Sequence, residues 1–238
     1  MNREEAVLRE FNLYPLRKRR EQVTSIQAMV PAPMPEVVET QAEIGTDMSR
    51  EQNINEFKWP ELKAMVQECA ACKLRAGCTR TVFGVGDEKA SWLFVGEGPG
   101  ADEDAQGEPF VGQAGKLLDN MLMAIKLKRG KDVYIGNIVK CRPPGNRTPE
   151  ADEIATCLPY LQQQIKLIQP KVIVALGKTA ATALLGKEAT LASLRGRLHD
   201  YHGIPLVITY HPAYLLRAPA DKAKAWQDLC LAIKTRGG

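Results

Sequence analysis

The chain has 238 residues, 45% hydrophobic and 25% charged, enough for one well-buried domain plus an extension, or for two small domains. No apolar run reaches the roughly 18 residues a membrane helix needs, and Met1-Asn2-Arg3-Glu4-Glu5 lacks the apolar core of a secretory signal; no membrane contact and a cytoplasmic location are expected. The net charge of +4 is compatible with nucleic acid without requiring it, while six cysteines in a reducing compartment point to metal ligands, buried thiols or a redox centre instead of disulfides.

Residues 1–55 read apart from the rest. An amphipathic stretch from Ala6 to Leu16 precedes the basic run Arg17-Lys18-Arg19-Arg20. Pro31, Pro33 and Pro35 then forbid helix and favour an extended, solvated linker. One reading is a disordered extension. The other is a tethered docking peptide, with Leu8, Phe11, Leu13 and Leu16 as anchors and the basic run against DNA. Over its short length, Arg9 to Arg17 resembles the chi-binding N-terminus of the psi subunit of bacterial clamp loaders. A replication or repair protein is the partner implied, through residues 1–20.

A second region, 56–238, has compact patterning. A helix is expected from Glu56 to Glu68, a buried strand at Trp92-Leu93-Phe94-Val95, and a helix from Ala114 to Leu127 with Leu117, Leu118, Met121, Leu122 and Ile125 on one face. Val133 to Val139 reads as a second strand, and Thr148-Pro149-Glu150 as a helix start with Thr148 as N-cap. Lys171 to Leu176 is a third strand, ending at Gly177 before a helix through Leu185. Leu206 to Thr209 is a fourth, and Asp221 to Thr235 closes the chain as a helix. Short apolar strands alternating with helices predict an α/β fold: three α/β/α layers around a central, mostly parallel four-stranded sheet.

Gly96-Glu97-Gly98-Pro99-Gly100-Ala101 directly follows the first strand, where parallel sheets place their ligands. Gly96, Gly98 and Ala101 loosely match a dinucleotide fingerprint. Charge argues against that use, because Asp102, Glu103 and Asp104 would stand where the pyrophosphate must lie. A turn this acidic suits a neutral base and a positioned water. A purely structural turn is the competing account.

This turn, together with Glu103-Asp104 and Gly107-Glu108-Pro109-Phe110-Val111-Gly112-Gln113-Ala114-Gly115, resembles the first motif block of the family-4, iron–sulfur uracil-DNA glycosylases. The resemblance implies that backbone around Gly96 and Gly98 holds uracil, that Phe110 stacks on it, and that Glu97 or Glu103 orients the attacking water. The best-known uracil-DNA glycosylases carry an aspartate where Gly98 stands, so their aspartate-driven step does not transfer.

Asn137 lies near the end of the second strand. A lone asparagine there is usually a backbone cap, yet its amide offers the donor and acceptor that uracil O4 and N3–H require, and cytosine presents the opposite polarity. His211-Pro212-Ala213-Tyr214-Leu215-Leu216-Arg217 resembles the family's second motif. Asn137 is thereby implied in base reading and His211 as donor to the departing uracil's O2. Leu215 is implied as the wedge that fills the flipped nucleotide's place, with Tyr214 and Arg217 facing phosphates. Arg195 and Arg197, in Leu194-Arg195-Gly196-Arg197-Leu198-His199, are read as a DNA-contacting loop, with a solvated hairpin as the plain alternative. A related class bonds covalently to DNA through a histidine in a basic loop here, where His199 stands, but the motif blocks fit the ordinary hydrolase better.

Cys69-x2-Cys72 and Cys141-x15-Cys157 form two pairs that together can complete a four-thiolate site; spacing alone allows zinc or a [4Fe–4S] cluster. The resemblance implies [4Fe–4S] on Cys69, Cys72, Cys141 and Cys157, in a structural role. Cys78 is a competing ligand candidate and Cys230 reads as a small hydrophobe. The expected activity is hydrolysis of the N-glycosidic bond of uracil in DNA by a monomeric base-excision-repair enzyme. The alternatives are a glycosylase for another deaminated or oxidised base, a non-catalytic Cys-rich nucleic-acid-binding module, and an iron–sulfur redox protein, which would need a flavin or nicotinamide site that no motif supplies.

Overall fold

The computed structural model describes residues 53–237; the expectations for the extension through residue 52 lie outside them. Four short apolar runs form β2 (Trp92–Gly96), β3 (Val133–Asn137), β4 (Val172–Leu176) and β6 (Ile204–Thr209). They pair in parallel in the order β3-β2-β4-β6, with Leu93 opposite Tyr134 and Ile173, and Ala175 opposite Ile208. The sheet nevertheless has six strands, not the expected four. β1 (Val85–Gly86) adds to β3 and β5 (Leu198–Tyr201) to β6, both antiparallel. Neither edge strand carries a hydrophobic signature. β1 has two residues, its Gly86 and the preceding Gly84 both at positive φ, and β5 buries Tyr201 alone.

Alternation along the central strands explains the layers. Leu93, Val95, Ile173, Ala175, Leu206 and Ile208 share one core with Leu62 and Val66 of α1 (Trp59–Gln67), Leu161 and Ile165 of α5 (Ala151–Ile168), and Ala180 and Leu184 of α6 (Lys178–Leu185). Trp92, Phe94, Val133, Val172, Val174 and Val207 face the other way. They meet Leu118 and Leu122 of α4 (Gln113–Ala124) and Leu229 and Ala232 of α9 (Lys222–Gly237). Sheet residues with apolar neighbours on both faces account for the unbroken hydrophobic runs.

Short helices complete the chain: α2 (Leu74–Gly77), α3 (Ala101–Gln106), α7 (Leu191–Leu194) and α8 (Pro212–Arg217). α5 starts later than its Thr-Pro signal predicts. Glu150 is the N-cap, and Glu153 reaches back to the Glu150 N–H at 2.7 Å. Glu153 also takes both ends of the Arg147 guanidinium (2.7 and 2.8 Å), so this acidic box, not Thr148, sets the first turn. Among the described residues no helix is long and apolar enough to cross a membrane.

Candidate active site

The C-terminal ends of the parallel strands carry the functional side chains. Gly96 ends β2 in register with Asn137 at the end of β3. The pairing continues past both strands: Ile138 N–H donates to the Gly96 carbonyl (3.0 Å) and Val139 N–H to that of Glu97 (3.1 Å). A Cβ on Gly96 would stand 2.5 Å from Asn137 Oδ1 and 2.6 Å from the Phe110 ring, and one on Gly98 2.7 Å from Val139. Glycine is required at both positions for close approach.

The turn opens on a cavity of ≈490 Å³ whose lining brings together Glu97, Gly98, Glu103, Phe110, Asn137, His211, Tyr214 and Arg217, with Arg147 and Thr148 on the far wall. Phe110 holds a left-handed backbone (φ +56°), a conformation its side chain disfavours. Arg129 maintains it, donating to the carbonyls of Pro109 (2.9 Å) and Phe110 (2.8 Å) while its Nε bonds Asp119. Gly115 of α4 lies so close that a Cβ there would overlap the Phe110 carbonyl. Arg129 is a residue that sequence reasoning missed. It has no motif of its own and acts on main-chain atoms far away in the chain.

His211 is the N-cap of α8, and its Nδ1 accepts the Ala213 N–H at 3.2 Å. The ring is therefore neutral with its proton on Nε2. Burial, with a smaller push from Arg217, lowers its pKa to about 4. The Phe110 ring lies 5.5 Å away. Asn137 is 2% exposed, and its Oδ1 is buried without a hydrogen-bond partner among the described residues.

The two carboxylates differ. Glu103 accepts three main-chain N–H groups: Gly100 (3.1 Å) on one oxygen, Val111 (2.9 Å) and Gly112 (3.1 Å) on the other. It clamps the Phe110 loop to the start of α3 while itself lining the cavity. Among the described residues the Glu97 carboxylate takes only the Thr179 hydroxyl, at 2.5 Å on Oε2. Asp104 is likewise committed to main chain, at Thr79 and Arg80.

Residues 83–230 match the family model of the uracil DNA glycosylase superfamily. A type-4 uracil-DNA glycosylase of Pyrobaculum aerophilum is 43% identical over 72% of this chain and 91% of its own length. One of Thermotoga maritima is 49% identical over 67% and 83%. The chain belongs to the type-4 uracil-DNA glycosylases. A type-5 uracil-DNA glycosylase of Pyrobaculum aerophilum is less similar, at 31% over 55% of this chain and 64% of its own.

On this type-4 scaffold two expectations about DNA contact change. Leu215, expected as the wedge, is 1% exposed; helix α8 turns it inward and presents Leu216, 45% exposed, to solvent instead. Arg195 is not free for phosphate. Its Nε and NH2 bind the fully buried Asp228 at 3.0 and 2.9 Å, NH2 also reaches the Lys224 carbonyl (2.7 Å), and its guanidinium lies over the Tyr210 ring. His199 bonds the Leu194 carbonyl at 2.7 Å and does not line the cavity. Arg197 and Arg217 are exposed. Tyr214 stacks on Tyr210 and donates to Asp221 at 2.7 Å, leaving its ring edge on the rim.

Cys69 and Cys72 follow α1, Cys141 follows β3, and Cys157 lies on α5. All four line one small apolar cavity, and none of the six cysteines is disulfide-bonded. Burial raises the thiols of Cys72 and Cys141 and pushes Cys157 up to about 11, so thiolates here need a bound cation to balance them. The Lys140 N–H donates to Cys157 Sγ at 3.2 Å. Among the described residues no group of three or more candidate ligands closes on a single metal ion. The donor set that lines the cavity is four thiols, a chemistry that suits a thiolate-bound metal centre. Cys78 bonds Arg75 and lies against Cys141, though it does not itself line this cavity.

Proposed function

We propose that this protein hydrolyses the N-glycosidic bond of uracil in DNA, leaving an abasic site, and that Cys69, Cys72, Cys141 and Cys157 hold a [4Fe–4S] cluster. One observation carries the reading: Asn137 lines the cavity and its buried Oδ1 has no hydrogen-bond partner among the described residues. Leaving such an acceptor unmet costs on the order of 1–3 kcal/mol, and uracil N3–H is the donor that repairs it, while the amide nitrogen donates to O4. Cytosine offers an acceptor at N3 and is rejected.

The remaining residues fit around that base. The flipped uracil lies on Phe110, whose pose Arg129 and Glu103 hold. His211, neutral with its proton on Nε2, donates to O2 as negative charge gathers on the departing base. As the C1′–N1 bond breaks, the sugar becomes oxocarbenium-like and water adds at C1′. Glu97, with one oxygen on Thr179, orients that water through the other, and the water's proton passes to solvent. When bound, the cluster serves as a structural pin. Cys69 and Cys72 after α1, Cys141 after β3 and Cys157 on α5 would hold it, and hydrolysis would ask no redox work of it.

Arg197, Tyr214 and Arg217 meet backbone phosphates, and Leu216 takes the wedge role that Leu215 cannot. The enzyme acts as a monomer. The reduced cysteines suit the cytoplasm, where the DNA lies. A repair or replication partner for residues 1–20 completes the proposal. The test is Asn137→Ala in single-turnover excision from a uracil-containing oligonucleotide. A loss on the order of 100-fold with unchanged DNA affinity is expected; wild-type rates would remove Asn137 from base reading.

A further inference from the structure

Lys140 is a charged side chain placed where charge is costly. It is 1% exposed, among the largest fully buried side chains, and no carboxylate pairs with it among the described residues. Burying an ammonium this way is unfavourable unless its donors are satisfied. Nζ reaches two acceptors: the main-chain carbonyl of Asn137 at 3.0 Å and Gln164 Oε1 at 2.7 Å. Gln164 is itself fully buried on α5 and donates onward to the Phe83 carbonyl (3.0 Å) and the Tyr134 hydroxyl (3.2 Å).

The bond to Asn137 has a geometric consequence. The peptide joining Asn137 to Ile138 is held at both ends, its N–H on the Gly96 carbonyl and its C=O on Lys140 Nζ. That double hold fixes the Cα of Asn137, and with it the direction in which the amide leaves the strand. Lys140 cannot drift, because its own main chain is pinned by Val82 N–H to its carbonyl (2.7 Å) and by its N–H to Cys157 Sγ (3.2 Å). An apolar residue of the same length would fill the space equally well. What it could not do is hold the carbonyl.

Building on the reading of Asn137 given above, we propose that Lys140 is a positioning residue that acts through Asn137, linking α5 to the base-reading amide and keeping that amide aligned with uracil. Misplacement of a reacting or recognising group by about 1 Å costs on the order of 100-fold in rate, which sets the scale. Lys140 touches neither base nor sugar and transfers no proton.

The experiment is a double-mutant cycle on the holoprotein, with single-turnover excision of uracil, DNA affinity and visible absorbance read for every variant. Lys140→Met keeps the stem and removes the ammonium. In the wild-type background it is expected to slow excision by about 10- to 100-fold with DNA affinity unchanged. In an Asn137→Ala background it is expected to cost less than about 3-fold, because the group it positions is gone. Gln164→Met, which removes the second acceptor and lets Nζ swing away, supplies the same cycle if Lys140→Met does not fold. Equal losses in the two backgrounds would make Lys140 a general packing element and overturn the proposal, as would a wild-type rate in Lys140→Met. If instead Asn137→Ala alone leaves excision intact, it is the proposed function of Asn137 that fails.

Discussion

Arg195→Ala separates a structural arginine from a DNA-binding one. Asp228 is fully buried, and in the folded protein its carboxylate is met by Arg195 Nε at 3.0 Å, Arg195 NH2 at 2.9 Å and the Gly196 N–H at 3.1 Å. Burial already pushes its pKa up despite these partners. Removing the guanidinium deletes two bonds and the compensating charge together, leaving the Gly196 N–H and the Thr209 hydroxyl beside the carboxylate, a change that costs about 3–5 kcal/mol in comparable buried pairs. For a domain of this size that lowers Tm by roughly 6–20 °C. Urea or thermal unfolding measures it, and Arg195→Ala combined with Asp228→Leu should recover much of the loss, since an apolar pair leaves no orphaned charge. Binding to a uracil-free duplex supplies the second readout. The salt dependence should stay unchanged in Arg195→Ala and fall by about one unit of slope in Arg197→Ala. If Arg195→Ala unfolds like the wild type and instead loses salt-dependent DNA affinity, Arg195 is a phosphate contact and the structural account is wrong.

Three further outcomes follow from the site. His211 has a folded pKa of about 4 against an ordinary 6.5, so its contribution to stability is complete above pH 6.5 and is lost as pH falls towards 4. The loss amounts to at most about 3 kcal/mol, measurable by urea unfolding across that window and absent in His211→Asn. Serine at Cys141 or Cys157 should abolish the cluster's blue-region absorbance and most folded yield, and a folded, colourless, fully active variant would refute the pinning role. Leu215→Ala should cost about 2–4 kcal/mol of stability, whereas Leu216→Ala should be near neutral in stability and slow excision from duplex more than from single-stranded DNA.

The middle of the fold was legible because its strands are buried on both faces and therefore read as continuous apolar runs. The edge strands were not. Val85–Gly86 is too short to carry a period, and Leu198–Tyr201 looks like the solvated hairpin it partly is. At the site, Phe110, Asn137 and His211 do line one cavity: Asn137 and His211 were legible from their places after strands, Phe110 only from the motif block that resembles the family's. Direction within a short helix was harder: adjacent Leu215 and Leu216 differ only in which way α8 turns them. Charge was hardest of all. Arg195 and Glu103 carry the residue types of DNA contact and catalysis, yet the first is consumed by a partner on α9 and the second also accepts three N–H groups. Neither partner is marked by any local pattern. Arg129 and Lys140 escaped for the same reason, since both act on main-chain carbonyls that sequence does not display.

The most direct measurement is strand scission after alkali treatment of oligonucleotides, single- and double-stranded, that carry one uracil, one cytosine or one oxidised or deaminated purine at the same position. Efficient scission at uracil alone, lost in Asn137→Ala and retained in Cys230→Ala, is the predicted result. Scission at another base but not at uracil, or at none of them with folded, cluster-loaded protein, would contradict uracil excision.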